Sequence, residues 1–427
     1  MVPKPPDVIA PWTQDQAIGA ALIRRARAVA VATVRNRGIA RAKLNPRLIP
    51  TRIDAIGVTL YRCGVCGCSI STEPRLDDAV VAASAAAARD RRFPTLLPDA
   101  LRQLRVVISV LYDPEPIGPC RKRKAADSLR LGYDSLAVSD GTRRAMFLDF
   151  VASHHAWPKL KLVRQLLRKA QLSDKSVHWT TYRTASWLQD RRGARAQQFG
   201  FSIEPAARCT AAMLRADLAL MGRFLAANLV PGGQVRYAQL PVTGWHTDRG
   251  PSEHARLGYD ALGQAARILR RADWQRQAQK GLRSLRGPDL PDLAADTPTS
   301  RLALAAAELA EAWRLALAHD DGKRAMHYRD SWHSAIRSVR QLIIRSVDAP
   351  MLKHPLLSVG GVRSSPTDSM VRIDSVSHLM AAVSKGLQLM SQQAHVSRSV
   401  PSPASVRLAG RPHWPPVEPR RLRQRSG

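Results

Sequence analysis

Acidic residues are scarce in this chain: 34 Asp and Glu stand against 66 Lys and Arg, giving a formal net charge of +32 over 427 residues. The imbalance makes polyanions the expected long-range partners, nucleic acid met through its phosphates first among them. Lysine is scarce as well. It supplies 12 of the basic residues against 54 arginines, and arginine beside abundant alanine is a pairing that codon bias produces without any partner. The densest basic run, RKRKAAD at 121–127, has no aromatic beside it on which a base could stack, so it reads as a solvated loop. The five cysteines (63, 66, 68, 120 and 209) are odd in number and clustered. That excludes a secreted disulfide framework and suits a reducing, cytoplasmic setting. Long apolar runs are missing too: AIGAALIRRARAVAVATV is interrupted by Arg24, Arg25 and Arg27, so it predicts a helix rather than a membrane span or signal peptide.

What is present divides into two modules, as a chain of this length predicts. In the first, RLDDAVVAASAAAARD predicts a helix over 79–89 with Asp77 and Asp78 at its positive end. LRVVISVLY (104–112) and SLAVS (135–139) predict strands, and Leu160, Val163, Leu166, Leu167 and Ala170 form the stripe of an amphipathic helix. Strands and helices share a core without regular alternation, which is an α+β pattern. From about residue 203 strand signals vanish. Leu214, Leu218, Met221 and Leu225 have the spacing that recurs in Leu302, Ala306, Leu309 and Trp313, and again in Trp332, Ile336, Val339 and Ile343. With 253–269 and 374–390 this predicts about five helices, all-α, joined by a Pro/Asp loop at 286–300. The expected organisation is a flexible 1–17, an α+β domain over 18–190, a linker over 191–204, a helical-hairpin domain over 205–392 and a disordered basic tail over 393–427.

Several ordered segments of the first half carry a resemblance: ARDRRFP, PDALRQL, RVVISVL, LGYDSLAVSDGTRRAMFLDFVASHHAW, LLRKAQL and VHW together resemble the AMMECR1 domain over roughly 18–190. The resemblance implies an α+β fold in two unequal lobes, an activity not yet assigned, and association with Memo-type or radical-SAM proteins. The family's LRGCIG motif is matched by VCGCSI, so Gly67 and Cys68 stand for its Gly-Cys pair, while Cys66 replaces the arginine and Ile70 the second glycine. Arg92, Phe93 and Pro94 match RFP; Arg144, Ala145, Phe147 and Leu148 match the RA.FL motif; and Lys169, Ala170 and Leu172 match KAGL, with Gln171 replacing glycine. Asp149 replaces the usual proline. On this reading Cys68 is the candidate catalytic residue, and Gly67, Arg92, Arg144 and Lys169 are candidate ligand-binding residues.

The cluster YRCGVCGCSIS allows three physical readings of Cys63, Cys66 and Cys68. Zinc would need a second ligand pair, which only the distant Cys120, Cys209, His154 and His155 could supply. A redox pair would need a lowered thiol pKa, and the helix N-terminus that commonly provides it is not evident. Cys66 and Cys68 as small, half-buried residues in a Gly-rich strand turn is the third reading and the preferred one. No metal is assigned, and the sequence names no cofactor.

The second half resembles, through GGQVRYAQLPVTG, EHARLGYDALGQAARIL and GGVRSSPTDSMVRIDSVSHLMAAV, fragments of the α/α-toroid six-hairpin proteins, many of which act on carbohydrates. Paired carboxylates do the acid–base work in such glycosidases, and Glu253, Asp260 and Asp374 are the acids inside the matched segments. His254 and His378 read as structural histidines. Three functions are thus carried forward. The first is an AMMECR1-type module, of small-molecule or macromolecule modification chemistry, joined to a partner- or ligand-binding helical domain. It predicts a cleft that brings Cys68 near Arg92 or Arg144. The second is a carbohydrate-active enzyme with two carboxylates converging in the helical half, and the third a basic nucleic-acid-binding scaffold. Whether the protein is an enzyme at all is left open.

Overall fold

The computed structural model describes residues 10–399, except 40–43, 46–47, 50, 175–176, 191–192, 199, 203–208, 230–234, 249–251 and 286–296. The first half begins with α1 (Gln16–Val34), capped by the Asp15 carboxylate, which accepts from the backbone N–H groups of Ala17 and Ile18. There follow β1 (Ile53–Tyr61), β2 (Val65–Ser71), α2 (Leu76–Ala88), β3 (Arg105–Pro119), α3 (Lys122–Ser128), β4 (Asp134–Ser139), β5 (Arg144–Phe147), α4 (Val151–His154), α5 (Lys159–Ala170), β6 (His178–Asp190), β7 (Gly193–Gln198) and β8 (Phe201–Ser202). The strands form one antiparallel sheet in the order β2-β1-β3-β6-β4-β5, with β7 on β6 and β8 on β7.

β3 reads as an unbroken apolar run because both of its faces are covered. Val106, Ile108 and Val110 meet Leu22, Ile23 and Ala26 of α1 and Val80 and Ala83 of α2. Val107 and Leu111, on the other face, belong to the core that continues into the second half. A third cluster lies where Leu162, Val163 and Leu166 of α5 pack on Leu136, Val138 and Trp179. These three α5 residues set the stripe, together with Leu167 and Ala170, whereas Leu160 is exposed.

The second half holds α6 (Ala211–Asn228), β9 (Ala238–Leu240), β10 (Trp245–Thr247), α7 (Ser252–Leu269), α8 (Ala272–Ser284), α9 (Pro298–Ala318), α10 (Gly322–Arg340), α11 (Pro355–Ser358), β11 (Arg363–Ser365), β12 (Asp368–Arg372) and α12 (Ile373–Ser399). α12 is the axis of the packing: Val376, Leu379, Met380, Val383 and Leu387 are all buried, and the helix contacts α6, α7 and α9. Trp313 of α9 and Trp332 of α10 lie with ring centroids 6.0 Å apart, both fully buried. On α6, Asp217 is buried between the guanidinium groups of Arg340 and Arg345.

Five expectations need correction. The second half is helical but not all-α, because β9–β12 form a four-stranded antiparallel sheet in the order β10-β9-β12-β11. Among the described residues it has six helices longer than a dozen residues, short of a ring of twelve. The described residues of 191–204 are not a linker, since β7 and β8 extend the first sheet over Gly193–Gln198 and Phe201–Ser202. RKRKAAD is not a loop: it forms α3, seated by the burial of Ala125 and Ala126 and by the Asp174 carboxylate, which accepts from the Lys122 backbone N–H at 2.7 Å. At the ends, residues 10–17 are ordered by Trp12, whose ring stands edge-on to Tyr112 with centroids 5.0 Å apart, and α12 runs past 392 to Ser399. The rest of the expected tail and most of the Pro/Asp loop lie outside the described residues. No described helix is long and apolar enough to cross a membrane.

Candidate functional site

The site begins at the β1–β2 hairpin. Its turn, Arg62-Cys63-Gly64, places Cys63 at φ 52° and Gly64 at φ 102°, in the left-handed region. The pairing then slips: Leu60 faces Gly67 but Tyr61 faces Val65, leaving Cys66 as the extra residue of a bulge. The bulge separates two cysteines that simple alternation would put on one face. Cys66 packs against the core under α1 and α2, whereas Cys68 lines a cavity of about 790 Å³. Gly67 does not line it. A Cβ there would lie 2.2 Å from the Ala87 carbonyl oxygen, so this glycine lets the end of α2 close on β2.

That close approach delivers Asp90 to β2. Its Oδ2 accepts from the Cys68 backbone N–H at 3.1 Å and from Arg92 Nη2 at 2.7 Å, and its Oδ1 accepts from Arg92 Nε at 2.9 Å. Arg92 also donates from Nη2 to the Cys68 carbonyl at 2.9 Å and meets the Cys68 sulfur at 3.2 Å. Burial disfavours an ionised Asp90, but the hydrogen bonds from Arg92 and from the backbone outweigh it and hold the carboxyl at about 2. Burial likewise pushes the Cys68 thiol up from its ordinary value, and the nearby Arg92 only partly opposes this. Cys66 is pushed to about 11, again by burial.

Across the cavity, β5 and α5 bring two further cations. Arg144 donates to the Tyr182 hydroxyl at 2.8 Å rather than to a carboxylate. Lys169 is exposed as a residue, but its ammonium turns inward over the Phe147 ring, 4.8 Å from the centroid, and donates to the Met146 carbonyl at 2.8 Å. Desolvation lowers its pKa, with Cys68 and Arg92 acting in opposite senses on it. Ile70, Phe93, Phe147 and Leu148 make apolar walls. His154, buried and in contact with the Gly200 carbonyl at 3.3 Å, stays neutral well below its ordinary range, at about 4, chiefly through desolvation. The last wall comes from the second half: Val242, Thr243 and Lys353.

The structure therefore gathers Cys68, Arg92, Arg144 and Lys169 around one cavity and leaves Gly67 as a packing residue. It does not gather the three acids of the helical half. Asp374 is buried and takes a 3.0 Å hydrogen bond from Arg372. Asp260 lines a separate cleft in which it is the single carboxylate, and Glu253 sits in the first turn of α7. His254 is buried with its ring stacked on Tyr237, while His378 is half-buried on α12. All five cysteines are free thiols, and among the described residues no cluster of three His, Cys, Asp or Glu side chains could hold a metal ion. The residues that sequence reasoning missed are Asp90, Tyr182 and Lys353. Asp90 could have been found from ARDRRFP, where it stands two positions before Arg92.

Comparison with known proteins places this site in context. A protein of Methanothermobacter thermautotrophicus is 32% identical over 109 residues, 26% of this chain and 57% of its own length. One of Thermofilum pendens is 33% identical over 111 residues, 25% of this chain and 52% of its own. The chain thus spans about half the length of the curated relatives it matches. A solved structure, an uncharacterised protein from Pyrococcus horikoshii, is 23% identical, covering 44% of this chain and 99% of its own at a TM-score of 0.38. The AMMECR1 family model matches residues 26–187, the segment that carries Cys68, Arg92, Arg144 and Lys169, and the N-terminal half of the chain is an α+β AMMECR1-like domain.

Proposed function

We propose that the cavity is a binding site for a small organic anion with an apolar body. One observation carries this reading: four cationic side chains, Arg92, Arg144, Lys169 and Lys353, line the cavity, and no carboxylate does. Arg92 is neutralised by Asp90. Lys169 and Arg144 donate to a carbonyl and a phenol rather than to a carboxylate, and the acids that act on them, Asp90 and Asp54, lie outside the cavity lining. Cations beside apolar walls attract an anion more strongly than the same cations in open water. A volume of about 790 Å³ also suits a ligand of metabolite size.

Cys68 enters as a contact rather than as an attacking group. Its thiol is raised, and among the described residues no histidine hydrogen-bonds to its sulfur, so a thiolate is disfavoured. Titration with anilinonaphthalene sulfonate, an aromatic monoanion whose fluorescence rises on leaving water, tests the reading. Saturable binding by the native protein is expected. Lys169→Met and Arg144→Met should each weaken it roughly three- to tenfold, as loss of a partly exposed charge contact would. Cys68→Ser should change it by less than about twofold. No saturable binding, or binding indifferent to both cations, would refute the site.

A further inference from the structure

Lys353 lies well beyond the matched AMMECR1 segment, on the loop before α11, yet it reaches the cavity. Its position is built rather than incidental. The Lys353 backbone N–H donates to the Pro241 carbonyl at 2.8 Å, pinning the loop to the strand-connecting segment that supplies Val242 and Thr243. Its aliphatic stem then passes between two glycines, both in the left-handed region. A Cβ on Gly244 (φ 79°) would lie 2.7 Å from Lys353 Cγ, and one on Gly64 (φ 102°) 3.5 Å from Lys353 Cδ. Gly244, from the helical half, leaves room that any side chain would take from the stem, whereas Gly64, from the β1–β2 turn, borders the stem at ordinary contact distance. The ammonium at its end has no hydrogen-bond or ion-pair partner among the described residues. Lys169 stands on a different wall, formed by β5 and α5, with Phe93, Phe147 and Leu148 among the apolar side chains that line the same cavity.

We propose that Lys353 is a specificity-determining residue, supplied by the helical half, and that the ligand carries an anionic group at each end of an apolar middle. This rests on the anion-site reading above. Lys169 and Arg144 receive one charged end against the β5 wall, and Lys353 receives the other beside the β1–β2 turn. An apolar monoanion would occupy the first position and leave Lys353 unused. The helical half thus acts in cis on the AMMECR1 domain's cavity, completing the recognition of a dianion.

The test uses the full chain and two probes of one shape, benzoate with one carboxylate and terephthalate with two at opposite ends of the ring. Each displaces anilinonaphthalene sulfonate, so that binding constants are read for both. Lys353→Met keeps the stem between the glycines and removes the charge. It should weaken terephthalate roughly three- to fivefold and leave benzoate within about 1.5-fold. Lys353→Arg should restore terephthalate, and Lys323→Met, which removes an exposed charge on α10, should behave as the unaltered protein. Equal effects of Lys353→Met on both probes, no effect on either, or the same loss with Lys323→Met would overturn the proposal while leaving the anion site standing. Failure of the unaltered protein to bind the fluorescent anion would remove both.

Discussion

Replacing Gly67 by alanine should unfold the protein at a markedly lower temperature, and the size of the effect follows from one contact. The added Cβ would sit 2.2 Å from the Ala87 carbonyl oxygen and 3.2 Å from its carbon, and both are backbone atoms that cannot rotate away. Reaching ordinary van der Waals distance requires β2 and the end of α2 to part by about 1 Å. Ala87 is 1% exposed and shares a core with Val80, Ala83 and Leu60, so the separation loosens packing that has no free volume to absorb it. A cost of about 3 kcal/mol is the expected order for such overpacking. For a unit of this size that corresponds to a fall of roughly 6–12 °C in Tm. Asp90 follows α2 by two residues, so the same displacement would draw its carboxylate from the Cys68 N–H and weaken anion binding as well. Thermal unfolding followed by circular dichroism measures the first effect. Gly38→Ala, with nothing within 4 Å of the added carbon, is the control expected to change little. A Gly67→Ala protein that melts within about 2 °C of the unaltered chain would refute the argument that this glycine is held by backbone approach.

Two further outcomes are expected. Asp149 is buried, its Oδ1 has no partner among the described residues, and burial lifts its pKa to about 7 against the opposing hydrogen bonds of the backbone. A carboxyl whose folded value lies above its unfolded one is protonated in both states at low pH, and the fold meets the cost of ionising it as pH rises towards 7. Asp149→Asn should therefore stabilise the protein at pH 8 by an amount on the order of 2–4 kcal/mol, and do little below pH 4. Identical pH profiles of Tm for the two proteins would sink this account. Gln171 ends α5 at φ 55° and ψ 39°, a left-handed conformation in which a side chain is strained and glycine is not. Gln171→Gly should raise stability by about 0.5–1 kcal/mol in urea unfolding; a loss would show that the Gln171 side chain contributes more than its backbone costs.

Elements with one strong period were legible in the sequence, and elements held by distant partners were not. α2 and α5 declare themselves because each buries one face, and β3 because it buries both. The strands β9–β11 are three residues each, too short for alternation to register. GARAQQ of β7 has no apolar run, and it is a strand because β6 pairs with it. At the site, the motif-bearing residues Cys68, Arg92, Arg144 and Lys169 could be picked out, but not the bulge that turns Cys66 away from Cys68. A bulge is a property of the pairing with β1, and CGVCGCSIS reads as plain alternation without it. Lys353 left no local signal. Its place depends on Gly244 and on the Pro241 carbonyl, which are far from it along the chain.

The net charge of +32 belongs to the whole chain, whereas the proposed anion site rests on a few charges gathered in one place. Some of the arginine is absorbed into pairs: Arg25 with Asp77, Arg92 with Asp90, Arg130 with Asp134, Arg340 with Asp217. The first and last of these join distant segments, and each pair cancels most of its field at a distance. Around the cavity the arithmetic differs, because Arg144, Lys169 and Lys353 have no acid among its lining residues to cancel them. Where the related motif carries an arginine this chain has Cys66, turned into the core. The positive field of the cavity is therefore built from other elements, β5, α5 and a loop of the helical half. Apolar walls keep water from screening that field as fully as it would on an open surface. A basic surface for nucleic acid needs charge spread along a strip at phosphate spacing. The proposed anion site rests instead on three cations around one half-open cavity with aromatic walls.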